Sequence, residues 1–146
     1  MFMPNKVKKV ILLGKKPGAA QALLYLLEKG IAVPLVVAQR EETYSANLYK
    51  TAIERGVRVV NYKELLDLIE RNDPEVQDID LVISYLFWNR IKKPLIDLAR
   101  LGCVNFHPAP LPDYKGRAGY NTAILDERKE FGVSARLKTG RRVPLK

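Results

Sequence analysis

Asn105 and His107 are the two residues whose types and spacing best suit chemistry. They stand two apart in Cys103-Val104-Asn105-Phe106-His107-Pro108-Ala109-Pro110-Leu111-Pro112-Asp113-Tyr114-Lys115-Gly116. Side chains alternate along a strand, so a strand here sets Cys103, Asn105 and His107 on one face and Val104 and Phe106 on the other. An amide can donate to a developing oxyanion, and the chain's single histidine can give or take a proton near neutral pH. Such a pair suits acyl transfer. Pro108, Pro110 and Pro112 each fix their own φ, which stiffens the segment that follows, as a preorganised site requires. Lys115 and Arg117 flank Gly116 and can pair with phosphate oxygens of a substrate. As loop residues they can equally be solvated charges. Cys103 and His107 supply two metal ligands where a zinc site needs three or four, so no metal is expected. The alternate prolines never fall at the P-x-x-P spacing of a polyproline ligand.

Strands must carry these residues, and the rest of the chain supplies them. Val7–Leu13 ends in an apolar run that stops at Gly14, as a buried strand does. Pro17 and Gly18 open a helical pattern with Ala20, Leu23, Leu24 and Leu27 on one face, and Gly30 stands where a helix ends. Ile31–Ala38 reads as a second buried strand, with Pro34 tolerable only near its start or at an edge. Ser45 can cap a helix through Glu54 that turns Leu48, Ala52 and Ile53 inward, with Gly56 closing it. Val57–Val60 is a short strand. Tyr62–Arg71 is an amphipathic helix with Leu65, Leu66 and Ile69 inward. Asp80–Ser84 is a strand, 85–93 a loop, and Pro94 starts a helix ended by Gly102. Cys103–Phe106 is the fifth strand, Asn121–Arg128 a helix, and Gly132–Leu137 a sixth strand. Strands alternating with short helices demand a mainly parallel sheet covered on both faces. The expected fold is α/β, a Rossmann-like doubly wound domain.

In such sheets ligands bind beyond the carboxyl ends of the strands. The first strand exits through Gly14-Lys15-Lys16-Pro17-Gly18, which is neither the dinucleotide fingerprint nor an NTPase phosphate loop, and Pro17 removes an N–H that a phosphate would use. The exit of the fifth strand, carrying Asn105 and His107, is the informative one.

Composition sets the outer limits. With 146 residues, 47% hydrophobic and 28% charged, the chain is a folded domain of ordinary size rather than a disordered one. The unbroken apolar run Ile31–Ala38 is too short to span a bilayer, so no membrane is expected. The first residues lack the apolar stretch of a signal peptide, and the single Cys103 excludes an internal disulfide, so the expectation is a soluble cytoplasmic protein. The net charge is +9, yet Arg136, Lys138, Arg141, Arg142 and Lys146 supply five positive charges in the last eleven residues, and the rest carries +4. We therefore expect a domain over 1–137 and a basic tail over 138–146. Five charges without interleaved aromatic residues do not make nucleic acid the expected partner. A homodimer stays open.

The residues resemble a known family. Asn105-Phe106-His107-Pro108, with Leu111-Pro112, Tyr114 and Gly116, resembles the signature of the formyltransferases dependent on 10-formyltetrahydrofolate, which formylate glycinamide ribonucleotide, methionyl-tRNA or amino-sugar nucleotides on a Rossmann-like catalytic domain. The resemblance runs from about Val7 to Leu137 and is most specific over Leu81–Leu137. Gly132-Val133-Ser134-Ala135 resembles the family's Gly-Val-Thr/Ser strand, and Leu86-Phe87-Trp88-Asn89-Arg90-Ile91 stands in the place of its folate-binding loop. The resemblance implies that Asn105 and His107 are catalytic and that Phe87, Trp88, Asn89, Arg90 and Ile91 hold the folate co-substrate. It further implies a primary amine as acceptor, phosphorylated or nucleotide-linked, with Lys115 and Arg117 binding it. An amino-sugar nucleotide is slightly preferred, from Gly119-Tyr120-Asn121. The family's third catalytic residue is an aspartate in a D-x-G-x-D-T-G loop after the Gly-Val-Ser strand. Here no Asp or Glu follows Glu130, so the catalytic domain is expected to be incomplete and its turnover impaired. The alternative is a non-catalytic remnant that binds folate or a nucleotide.

Overall fold

The computed structural model describes residues 6–40, 46–107 and 134–138. Six strands form one sheet: β1 Val10–Gly14, β2 Leu35–Val37, β3 Arg58–Val60, β4 Leu81–Tyr85, β5 Cys103–His107 and β6 Ser134–Lys138. Their spatial order is β3-β2-β1-β4-β5-β6. The first five strands are parallel, and β6 closes the edge antiparallel to β5, pairing His107 with Ser134 and Asn105 with Arg136. Among the described residues four α-helices connect β1 to β5: α1 Lys16–Glu28, α2 Leu48–Glu54, α3 Tyr62–Glu70 and α4 Lys93–Leu98.

Alternation along the strands splits the core into two layers. Val10, Leu12 and Val36 pack with Ala19, Leu23, Leu48 and Ala52 of α1 and α2. Ile11, Leu13, Leu35, Val37, Val82 and Cys103 pack with Leu65, Leu68 and Leu95 of α3 and α4. Successive residues of β1 thus feed opposite layers, which is why its apolar run is unbroken: a strand covered on both faces has no polar side. The expected doubly wound, mainly parallel sheet is the architecture found.

The departures have local causes. Pro34 cannot donate a ladder hydrogen bond, and β2 begins only at Leu35, with Ala32 left in an isolated bridge to Lys9. Leu26 and Leu68 are buried, whereas Leu24, Leu27, Leu66 and Ile69 are only partly covered. Ala20, Leu23 and Leu65 are buried as expected, and the rest of each inward stripe is shifted by one position. Ile53 is exposed rather than inward; Leu48, Thr51 and Ala52 make the buried face of α2. That helix is capped by Asn47, whose Oδ1 accepts from the Lys50 N–H at 2.9 Å. Ser45, the expected cap, lies outside the described residues. Gly30 takes a left-handed φ of +74° after α1, and its N–H bonds the Leu27 carbonyl, as a helix-ending glycine should. β6 extends to Lys138, the first residue assigned to the basic tail. The expected helix over Asn121–Arg128 lies outside the described residues.

At the amino edge of the sheet, Asp80 ties three segments together. Its carboxylate accepts from the Lys8 and Lys9 N–H groups at 2.8 and 3.1 Å and from Arg100 Nε at 3.1 Å. Burial alone would raise its pKa. The Lys8 N–H, the Arg100 guanidinium and the Lys9 N–H outweigh that and hold it below the usual carboxylate range.

Candidate functional site

In the order β3-β2-β1-β4-β5-β6 the direction of winding reverses between β1 and β4, and open sheets of this kind bind ligands outside the carboxyl ends of the strands at that point. Two departures from relaxed backbone sit there. Lys16, just after β1, has φ +68°, and Leu86, just after β4, has φ +53°. Left-handed backbone costs a residue with a branched side chain about 1–2 kcal/mol, so the surrounding packing must enforce the sharp turn out of β4. Strain of this kind concentrates at functional sites.

The two exits are locked to each other. The Lys15 N–H bonds the Tyr85 carbonyl at 3.2 Å, and the Tyr85 ring lies across the start of α1. A Cβ on Gly18 would come within 2.6 Å of Tyr85 Cε1, so only glycine lets the ring lie there. The ring also meets Phe106, with centroids 6.1 Å apart. An aromatic side chain therefore covers the helix end that receives the pyrophosphate in dinucleotide-binding domains.

The 86–91 loop leaves β4 toward the α3–α4 layer. Phe87 stacks at a tilt on Trp88, centroids 4.5 Å apart, and meets Tyr62 of α3 edge-on at 5.3 Å. Phe87 packs against the α3–α4 core while staying partly exposed, and Trp88 is also partly exposed. Ile91 is 7% exposed and belongs to that core, whereas Asn89 and Arg90 face solvent. The five residues expected to hold a folate thus divide: an aromatic pair on a half-covered surface, two exposed polar side chains, and an aliphatic anchor turned inward.

Asn105 stands next to this loop. It pairs in register with Ser84, which is 1% exposed, and follows Cys103 by two positions. By alternation it shares the α3–α4 face with Val82 and Cys103, the side onto which Phe87 folds. His107 ends β5, its backbone paired with Ser134. Lys115, Arg117 and Asp113 lie outside the described residues, and no group of three potential metal ligands occurs among the described ones. Two contributors escaped sequence reasoning. Tyr85 looked like the first residue of a loop, and Tyr62 like the polar start of a helix. Neither carried a local signal in the sequence, because the partners of each lie on another element.

The sequence model of the formyl transferase family matches residues 5–138. The chain belongs to that family. Its enzymes transfer a one-carbon formyl group and use 10-formyltetrahydrofolate as donor. Among curated relatives, the methionyl-tRNA formyltransferase of Lysinibacillus sphaericus is 31% identical over 137 residues, a stretch that covers 86% of this chain and 42% of the relative. That of Malacoplasma penetrans is 30% identical over 135 residues, covering 88% and 42%. This family member therefore spans less than half the length of those relatives. Among solved structures, the phosphoribosylglycinamide formyltransferase of Bacillus halodurans superposes with a TM-score of 0.70 at 18% identity, covering 91% of this chain and 73% of the other. A formyltetrahydrofolate deformylase of Pseudomonas putida gives 0.63 at 21%, covering 95% and 51%. These likenesses agree on the fold. Among the described residues no helix is long and apolar enough to cross a membrane.

Proposed function

We propose that this chain binds 10-formyltetrahydrofolate between the 86–91 loop and the Asn105–His107 end of β5, and passes its formyl group to a primary amine. The observation that carries the reading is the placement of a half-exposed aromatic pair, Phe87 and Trp88, beside the strand end that bears Asn105. A pteridine needs a flat, largely apolar slot with a few polar groups at its rim, and this loop offers both: aromatic rings and, at Asn89 and Arg90, exposed polar side chains.

Each residue then has a task. The donor supplies an electrophilic formyl carbon. Asn105 donates an amide N–H to the formyl oxygen as negative charge develops there, a contribution worth about a hundred- to thousandfold in related oxyanion sites. His107, when protonated, adds a second donor and returns a proton to the departing folate nitrogen. The incoming amine forms the new C–N bond as the bond from the formyl carbon to the folate nitrogen breaks, and its surplus proton passes to the imidazole that protonated the departing nitrogen, so atoms and charge balance across the transfer. Lys115 and Arg117 hold a phosphate of the acceptor.

No Asp or Glu follows Glu130 in these 146 residues. A version carrying an acidic loop is expected to transfer formyl groups at least about 100-fold faster than these residues alone, since positioned proton transfer contributes about 10²–10⁴. The test grafts D-x-G-x-D-T-G after Lys138, where β6 ends, and compares turnover. A rise of that size supports the reading; equal rates overturn it.

For the acceptor, the names of the sequence relatives favour methionyl-tRNA. Gly119-Tyr120-Asn121, outside the described residues, favours an amino-sugar nucleotide, and the solved structures include phosphoribosylglycinamide enzymes. A panel of the three amines with the grafted protein separates them. Formylation of none of the three would refute a phosphorylated or nucleotide-linked acceptor.

A further inference from the structure

The proposed folate loop is held by a residue outside it, Tyr62, the first residue of α3. Its hydroxyl donates to the Arg90 carbonyl at 3.3 Å and accepts from the Lys92 N–H at 3.0 Å. One phenol oxygen thus bridges the residues on either side of Ile91, whose side chain is sunk in the α3–α4 core. The same ring meets Phe87 edge-on at 5.3 Å, so Tyr62 touches the loop at its apolar beginning and its polar end. Between these two holds lie Trp88 and Asn89. At the entry the chain turns sharply through Leu86 with φ +53°. A loop that leaves its strand in a costly conformation and lacks a regular hydrogen-bond ladder needs outside contacts to keep one shape.

We infer that Tyr62 is a positioning residue for the folate slot: its hydroxyl latches residues 90–92 to α3 and so fixes the spacing between the Phe87–Trp88 pair and Asn105. The inference rests on the folate reading of this loop. It assigns Tyr62 no contact with the reacting atoms. The two backbone groups that it satisfies lie at an exposed position, so water replaces the hydroxyl at little cost to folding when it is removed. The cost falls instead on binding, because the ligand must then order the loop itself.

Tyr62→Phe keeps the ring and its contact with Phe87 and deletes only the latch. Two readouts test it. In the free protein, iodide quenching of Trp88, the chain's single tryptophan, reports the shape of the loop without any ligand. Titration with a stable 10-formyltetrahydrofolate analogue reports the slot. The expected result is stronger quenching and about tenfold weaker binding, equivalent to about 1.4 kcal/mol, at an unchanged urea midpoint. Unchanged quenching overturns the latch whatever the ligand does. A lowered midpoint with unchanged affinity also overturns it, by reducing Tyr62 to a merely structural residue. If the unaltered protein binds no analogue, the folate reading fails, and the quenching comparison still decides the latch.

Discussion

Replacing Gly18 with alanine separates local propensity from tertiary packing at the switch point. In an unobstructed helix the change stabilises by up to about 1 kcal/mol, because glycine loses more backbone freedom on folding. In α1 the new Cβ would stand 2.5 Å from Tyr85 Cζ and 2.6 Å from Cε1, where ordinary contacts begin at 3.4 Å. The ring must retreat by roughly 1 Å or swing into solvent. It cannot retreat freely, since the Tyr85 backbone is held in β4 between Gly14 and Phe106 and the ring also packs near Phe106. Swinging out forfeits about half the 1.5–3 kcal/mol that a fully buried large side chain contributes, because the ring is only partly buried. It also forfeits about 0.5–1.5 kcal/mol from the aromatic pair. Against the helix gain, the net is a loss of about 1 kcal/mol, or about 3 °C in Tm for a domain of this size. The decisive assay is a double-mutant cycle by urea denaturation. In a Tyr85→Ala background, Gly18→Ala should change sign and stabilise, giving a coupling of about 2 kcal/mol. Additivity of the two substitutions would refute the close approach.

Three further outcomes follow from the same contacts. Asn105→Ala, in protein carrying the grafted acidic loop, should lower formyl transfer about 10²–10³-fold with little effect on folate affinity, since the amide acts on charge that develops only during transfer; single-turnover kinetics reads it. Asn47→Ala should cost about 1 kcal/mol of stability by removing the side-chain cap on Lys50 N–H, measured by urea denaturation. The lowered pKa of Asp80 makes its contribution to stability full above the unfolded carboxylate pKa and lost as pH falls through the lower folded value. Asp80→Asn should therefore cost about 2 kcal/mol at neutral pH and flatten the acid limb of a stability–pH curve.

The sequence was most legible where burial is two-sided. Val10–Leu13 and Leu35–Val37 are apolar without interruption because both faces of the sheet are covered, and that pattern, alternating with helices, already required a parallel architecture. Helix faces were less legible. Leu24 and Leu26 are equally apolar on paper, and which one is buried depends on the rotation of α1 over the sheet, a tertiary variable. Ser45 and Asn47 are both good caps, and the start of α2 is decided by where Leu48 must enter the core. The place of Asn105 on β5 was legible from its strand, because strand parity is local. Tyr62 was not, because its bonds to Arg90 and Lys92 join residues 28 and 30 positions away. Nor was Tyr85, whose neighbour Gly18 lies on another element.

The central claim, that a reduced folate sits between the 86–91 loop and the Asn105 edge of β5, is tested most directly by titrating a stable 10-formyltetrahydrofolate analogue into the protein. Heat and Trp88 emission should be followed together. One saturable event is expected in both signals, with the heat weakened when Trp88→Ala removes half of the aromatic pair. No heat and no change in emission at millimolar analogue, in protein shown to be folded, would contradict it.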